Sequence, residues 1–326
     1  MQQRSLYKNG PKVGSIGLGA MSIGGFFGAT DKQTSLKMLE KCVDLNVTHV
    51  DTALIYGPYI SETVIGEFLK GRPNPFHIAT KGGIIPSGRG IDNSEAYLRE
   101  CLEGSFERLG VDYVDLYYIH RREQDIPIED VMTTLLKFKE EGKIGGIGFS
   151  EISPASLKRA SKIGHVDAVQ SEYSLWTRLP ELGMLQTCAK LETTFVPFSP
   201  VARGMITDKG VDPSTFTEID FRRSVPRFME PNYSANVEII NQFKAYAKDN
   251  GHTSQALALA WVLHQDENCI PIPGTRTAEH LEELVAGASI KLSATQLAEI
   301  EEILPVGFAH GNRYSDAQQK PTEVYC

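Results

Sequence analysis

Val47-Thr48-His49-Val50-Asp51-Thr52-Ala53-Leu54-Ile55-Tyr56 decides how this chain is read. A short apolar run ends on a carboxylate, and a phenol follows closely after it. The run has the length and β-branched character of a buried strand. The same pattern occurs twice more. Phe76-His77-Ile78-Ala79-Thr80 leads into Lys81, and Tyr113 through Ile119 leads into His120. An ionisable group at the end of a buried strand is costly unless it is paired. Asp51, Tyr56, Lys81 and His120 are therefore expected to meet at one site, where strand ends converge.

Strand and helix signals alternate outward from these three stretches. Before them, Ser15-Ile16-Gly17-Leu18 reads as a first buried strand, and Leu36, Leu39 and Val43 space out as a helix face. Ser61 to Lys70 reads as a helix with Ser61 as N-cap and Gly71 as stop. Leu98, Cys101, Leu102, Phe106 and Leu109 line another helix, ended by Gly110. Val131, Leu135 and Phe138 mark the next, closed by Gly142. Ile144 to Phe149 is a fifth strand, and Ser153-Pro154 opens a helix with proline at its first position. Ala168 to Ser171 and Thr194 to Phe198 are strands six and seven, with a helix around Leu185 between them. Helices follow around Val237 to Ala247 and Leu257 to His264, then strand eight at Cys269 to Pro273, then a helix from Leu281 to Ala288.

Eight strand–helix pairs in strict alternation predict an α/β fold, a (β/α)8 TIM barrel. An open doubly wound sheet is the alternative. Its dinucleotide fingerprint is weak here, because Gly17-x-Gly19 lacks the third glycine and a matching ribose acid. Arg4 to Val13, centred on Asn9-Gly10-Pro11, is expected to be an N-terminal hairpin lid. A long connection rich in Pro, Arg and Phe runs from Ser199 to about Ser234, after strand seven. Loops of that length in a compact domain are usually functional. No Gly/Pro/Ser-rich linker divides the chain, so residues 1–326 are expected to form one barrel domain.

The formal net charge of −8 offers no global basic field for nucleic acid or an anionic membrane. Arg121-Arg122 and Arg222-Arg223 are local clusters, expected to be solvated surface, with a phosphate clamp as the other option. Cys42, Cys101, Cys188, Cys269 and Cys326 lack metal-ligand or redox spacing and read as free thiols in a reducing compartment. No metal is expected. With no apolar leader and no stretch apolar enough to span a bilayer, the cytoplasm is the expected location. The sequence leaves monomer and homo-oligomer both open.

Asp51-Thr52-Ala53-Leu54-Ile55-Tyr56-Gly57 resembles the aldo-keto reductase signature around that family's catalytic Asp and Tyr. Lys81 after Ile78-Ala79-Thr80, and Tyr117-Tyr118-Ile119-His120-Arg121, resemble the segments of its lysine and histidine. Gly142-Lys143-Ile144, Gly148-Phe149-Ser150, Gln170 through Trp176 and Ile272-Pro273-Gly274-Thr275-Arg276 continue the likeness in family order over almost the whole chain. Glu172-Tyr173-Ser174-Leu175-Trp176 and Ser199-Pro200-Val201-Ala202-Arg203-Gly204 are most similar to the branch holding pyridoxal reductases and potassium-channel β-subunits.

The resemblance implies that Asp51, Tyr56, Lys81 and His120 are catalytic, with NADPH/NADP+ as cofactor and a small carbonyl compound as substrate. The chemistry is self-consistent. Hydride arriving at a carbonyl carbon leaves negative charge on oxygen, which must be protonated or held. A free phenol, with a pKa of about 10, is a weak acid for that task. Lys81 is expected to lower it, Asp51 to keep Lys81 charged, and a neutral His120 to donate to the carbonyl oxygen.

For the cofactor, the resemblance places Gly19, Ala20 and Met21 near the nicotinamide end and Phe198 stacked on the ring. It assigns Ser150 and Gln170 to the carboxamide. Ser199, Pro200, Val201, Arg203 and Gly204 are assigned to the pyrophosphate, with Arg203 a bidentate partner. Gly274, Thr275, Arg276, His280 and Glu283 are assigned to the 2′-phosphate and adenine. The chain departs from the family at Glu151 and Leu284, where asparagine is frequent, and at Gly274, where lysine is frequent. Glu151 cannot donate to an amide oxygen. Phe26, Phe27, Tyr59, Trp176 and Phe228 are candidates for an apolar substrate mouth, while Gly307 to Cys326 looks too polar to form a wall. A redox-sensing regulatory subunit with incidental turnover is the alternative function. A lid strand beginning almost at the first residue, without a long preceding segment, favours the enzyme.

Overall fold

Asn9, at φ 61°, takes the left-handed turn between β1 (Gln3–Ser5) and β2 (Lys12–Gly14), a conformation that asparagine tolerates. The strands pair antiparallel with Arg4 opposite Val13. In this computed structural model, which describes residues 1–325 apart from Ser87 and Arg89, the expected hairpin lid is present. Leu6, Tyr7 and Val13 are buried against Ala79, Leu116, Ala168, Val196 and Ile270 from the barrel interior. Arg4 donates to the carbonyls of Asp266 at 2.8 Å and Leu263 at 2.9 Å, and Lys8 pairs with Glu192. These partners precede strands, so the lid seals the end of the barrel where strands begin. The opposite end is left for the site.

The parallel strands are β3 (Leu18–Gly19), β4 (His49–Asp51), β5 (His77–Gly82), β6 (Val114–Ile119), β7 (Ile144–Ser150), β8 (Ala168–Glu172) and β9 (Thr194–Phe198). They lie in chain order in one seven-stranded sheet. The helices between them are α1 (Lys32–Asp44), α2 (Ile60–Leu69), α3 (Glu95–Leu109), α4 (Ile128–Glu140), α5 (Pro154–Ala160) and α6 (Met184–Leu191). This is the TIM barrel that the alternation predicts.

The eighth strand differs from expectation in form. Cys269 to Pro273 meets β9 only through the isolated bridges Phe195↔Cys269 and Phe198↔Ile272. The reason is Pro271 and Pro273, which have no N–H for a ladder. The ring still closes. Ile270 and Ile272 donate to Phe195 and Pro197 at 2.9 Å each, while the carbonyls of Pro271 and Pro273 accept from Gly17 at 2.9 Å and Gly19 at 3.0 Å.

Local signals set most element ends. Ser153 caps α5 with Pro154 in its first turn, and Gly110 ends α3 at φ 69°. Ser61 is not the N-cap of α2. Tyr59 turns the chain at φ 70° and starts the helix one residue before Ser61, whose hydroxyl points inward to Thr52 at 2.8 Å and to the Ala20 carbonyl at 3.0 Å.

After β9 the connection runs through short 3-10 turns to α7 (Asn232–Asp249), followed by α8 (Ser254–Gln265) and α9 (Ala278–Ala286). Two further helices, α10 (Ala294–Ile303) and α11 (Asp316–Gln319), were not legible in the sequence. The tail past them folds back on the barrel, where Glu323 donates its amide to the Glu151 carbonyl at 3.0 Å. Among the described residues, no helix is long and apolar enough to cross a membrane. Cys42, Cys101, Cys188 and Cys269 are buried free thiols, and Cys326 lies outside the described residues.

Candidate active site

Asp51 ends β4 and Lys81 lies near the end of β5, both essentially without solvent exposure. The Lys81 ammonium bonds the Asp51 carboxylate, the Thr52 carbonyl at 2.8 Å and the Tyr56 hydroxyl at 3.1 Å. The other Asp51 oxygen accepts from Gln170 Nε2 at 2.8 Å. A buried ion pair is tolerable only when its remaining hydrogen-bonding capacity is met, as it is here. Burial works against the Lys81 charge, but Asp51 and Tyr56 outweigh it and the pKa rises above its usual value.

Tyr56 sits in the loop after β4, and its ring meets His120 edge-on, with centroids 5.7 Å apart at 84°. Lys81 pulls the phenol pKa down, but not below its ordinary value. Burial raises Tyr56 above its ordinary value, and the opposing pull of Lys81 and Arg121 only reduces the rise. His120, just past β6, is pushed well below its usual value by burial and by the cations Arg121 and Lys81. Its ring is neutral at neutral pH.

Above this group opens a cavity of about 750 Å³ at the C-terminal ends of the strands, the face where barrel sites are built. Tyr56, His120, Asp51, Ser150, Gln170 and Phe198 line its floor; Lys81 lies buried beneath it. Gly19 and Met21 also line it. Ala20 does not. It is buried, with its carbonyl turned to Ser61.

Ser199, Pro200, Val201, Arg203 and Gly204 form one wall. Ser199, Ala202 and Arg203 hold φ 53°, 54° and 56°, a left-handed backbone that non-glycine residues adopt only under constraint. The Arg203 guanidinium does not stand open for a phosphate. It pairs with Glu172 at 2.7 Å and donates to the Arg313 carbonyl at 2.7 Å.

Gly274, Thr275, Arg276, His280 and Glu283 line the far end. A Cβ at 274 would lie 2.9 Å from Ser22 Oγ and 3.3 Å from the Gly19 carbonyl, so the glycine keeps that approach open. Arg276 is exposed and donates to the Ala29 carbonyl at 3.1 Å, and Glu283 accepts from Gln255 at 2.7 Å. The residues therefore fit an elongated anionic cofactor: a backbone-lined cleft and an exposed guanidinium at its outer end.

Several expectations require correction. Glu151, left out of the expected cofactor set, does not line the cavity. Held at φ 56°, it turns outward, bonds Arg313 and accepts the Glu172 amide at 2.9 Å. The tail does form a wall. Arg313 clamps Glu151 and Glu172, and its neighbour Tyr314 is buried in the cavity lining. Burial alone would raise the Glu172 carboxyl, but Arg203 and Arg313 hold it below its usual range. Polar composition concealed this segment because its partners are distant in sequence.

Phe26 and Phe27 line the cavity as expected. Tyr59 is exposed, and Trp176 and Phe228 stack on each other at 5.8 Å away from that lining. Arg121 and Arg222 line the cavity rather than the solvated surface; Arg222 pairs with Asp220 at 2.7 Å, and buried Arg122 with Glu323 at 3.2 Å. The signal for Arg121 was its place directly after His120.

Residues 15–305 match the sequence model of the Aldo/keto reductase family. The chain is 37% identical over 319 residues to "Probable aldo-keto reductase 1" of Glycine max, covering 96% of this chain and 92% of that one. It is 35% identical over 311 residues to "Aldo-keto reductase yakc [NADP(+)]" of Schizosaccharomyces pombe, covering 93% and 92%. Among solved structures, the glycerol dehydrogenase AKR11B4 of Gluconobacter oxydans superposes with a TM-score of 0.83 at 25% identity, over 93% of this chain and 94% of that one.

Proposed function

This chain belongs to the aldo/keto reductase family, and on that premise we propose that it is an NADPH-dependent reductase of aldehydes or ketones. The observation that carries the reading is the Tyr56 hydroxyl, at a cavity lined by His120 and bonded at 3.1 Å to an ammonium that Asp51 holds in place. When bound, NADPH supplies the hydride that adds to the carbonyl carbon. Tyr56 gives its proton to the oxygen as charge develops there. Burial weakens Tyr56 as an acid, and Lys81 opposes this by stabilising the phenolate left behind. Neutral His120 donates to the same oxygen and orients it.

Ser150, Gln170 and Phe198 would hold the nicotinamide end, the 199–204 loop would cover the pyrophosphate, and Thr275, Arg276 and His280 would take the 2′-phosphate. Two observations support NADPH over NADH: the exposed Arg276 guanidinium at the outer end of the cavity, and the NADP(+) in the name of the Schizosaccharomyces pombe relative. Consumption of NADPH against a panel of aldehydes, including pyridoxal, methylglyoxal and aromatic aldehydes, tests the reading. Turnover that needs Tyr56 supports it. No turnover on any carbonyl, with NADPH still bound, would favour a cofactor-sensing role.

A further inference from the structure

Among the described residues, four arginines reach the cavity: Arg121, Arg203, Arg222 and Arg276. Arg203 and Arg222 are neutralised by Glu172 and Asp220. Arg276 stands at the outer end, where the proposed cofactor phosphate would sit. Arg121 stands at the inner end, directly after His120, and no described carboxylate lies within 4.0 Å of it. Its bonds all go to neutral acceptors: the His120 carbonyl at 2.6 Å, Ser150 Oγ at 3.1 Å and Tyr314 Oη at 3.5 Å.

The two Nη1 bonds fix the plane of the guanidinium. Nη2 and Nε are left with little protein to satisfy them. Phe26, Phe27, Ile84 and Phe221 add apolar surface to the cavity lining. A half-buried cation with no described counter-charge beside it favours an anion entering the cavity. Guanidinium also matches a carboxylate better than ammonium does, through two parallel donors.

We propose that the carbonyl substrate carries a carboxylate, and that Arg121 and the Tyr314 hydroxyl bind it beside the reacting carbonyl. The inference rests on the reductase reading and names its substrate class. Tyr314 already accepts from Arg121, so its own proton is free to be donated to the anion. Burial keeps that phenol protonated. The Arg313 clamp on Glu151 and Glu172 sets Tyr314 in place, which gives the C-terminal segment a part in selecting substrate.

A matched pair tests this: 4-carboxybenzaldehyde against methyl 4-formylbenzoate, its neutral ester, compared by kcat/KM with NADPH. The wild-type chain is expected to favour the acid by on the order of tenfold or more, the span of one charge-assisted hydrogen bond. Added salt should erode that preference. Arg121→Gln lowers both rates, because Ser150 loses its brace, but brings the ratio close to one. Arg121→Lys should retain part of the preference, and Tyr314→Phe should reduce it. If Arg121→Gln fails to fold, the wild-type ratio, its salt dependence and Tyr314→Phe still decide. A wild-type ratio near one, or an unchanged ratio in Arg121→Gln, overturns the inference while the ester's turnover leaves the reductase reading standing. Failure to reduce either aldehyde, or any aldehyde of the wider panel, removes the reductase reading and this inference with it.

Discussion

The Lys81 ammonium holds the Asp51 carboxylate and touches the Tyr56 hydroxyl, so its removal has two consequences. Lys81→Met leaves Asp51 buried without its partner, and breaking such a pair costs about 3–5 kcal/mol. Urea denaturation should show this loss, and Asp51→Asn combined with Lys81→Met should recover much of it. The same single change should move the pH profile of alcohol oxidation upward, because burial then raises the phenol without opposition from the cation. A retained rate with an unmoved profile would mean that Lys81 is structural. His120 makes a separate prediction. Burial and the neighbouring cations push its pKa below the ordinary imidazole value, so the ring is neutral at neutral pH. Carbonyl reduction should show no step near the ordinary imidazole value between about pH 6 and 8, measured as kcat/KM. A titration centred there and abolished by His120→Asn would contradict the neutral-donor role. The residues of this group were legible because each lies at, or just past, the end of an apolar run. The sign of the Tyr56 shift was not, since it depends on how deeply loops bury the ring.

The loops after the strands carry the specificity. Arg276, just beyond the eighth strand segment, donates to the Ala29 carbonyl and has an exposed side chain. Arg276→Ala should weaken NADPH by on the order of tenfold, with solvent screening keeping the effect moderate, and leave NADH almost unchanged. Fluorescence titration of both cofactors measures it, and equal weakening would place the phosphate elsewhere. The C-terminal segment makes a second prediction at this scale. Arg313 is the cation between buried Glu151 and Glu172. Arg313→Met should destabilise the chain by about 3–5 kcal/mol in denaturant and loosen Tyr314. A loss below about 1 kcal/mol would show the clamp to be dispensable. Motif wording made the 199–204 and 274–276 segments legible. Arg313 and Tyr314 were not, because a buried ion pair between distant segments leaves no local pattern. Glu151 departs from the family's frequent asparagine, and its pairing with the distant Arg313 left no signal in the sequence.

At the scale of the whole molecule, alternation was a sufficient guide to the barrel. Its closure was less so, since Pro271 and Pro273 reduce the eighth strand to two bridges and two pairs of flanking hydrogen bonds. The lid seals one end, and the other brings Asp51, Tyr56, Lys81 and His120 together beneath a single cavity. The central claim is that this end reduces carbonyl groups with Tyr56 as proton donor. The most direct measurement compares wild-type and Tyr56→Phe turnover of one good aldehyde with NADPH, with the NADPH dissociation constant determined in parallel. Turnover should fall on the order of a hundredfold or more, while NADPH binding changes by less than about threefold, because the phenol proton acts only as charge reaches the oxygen. Near-wild-type turnover in Tyr56→Phe, or a loss of rate matched by an equal loss of NADPH binding, would contradict it.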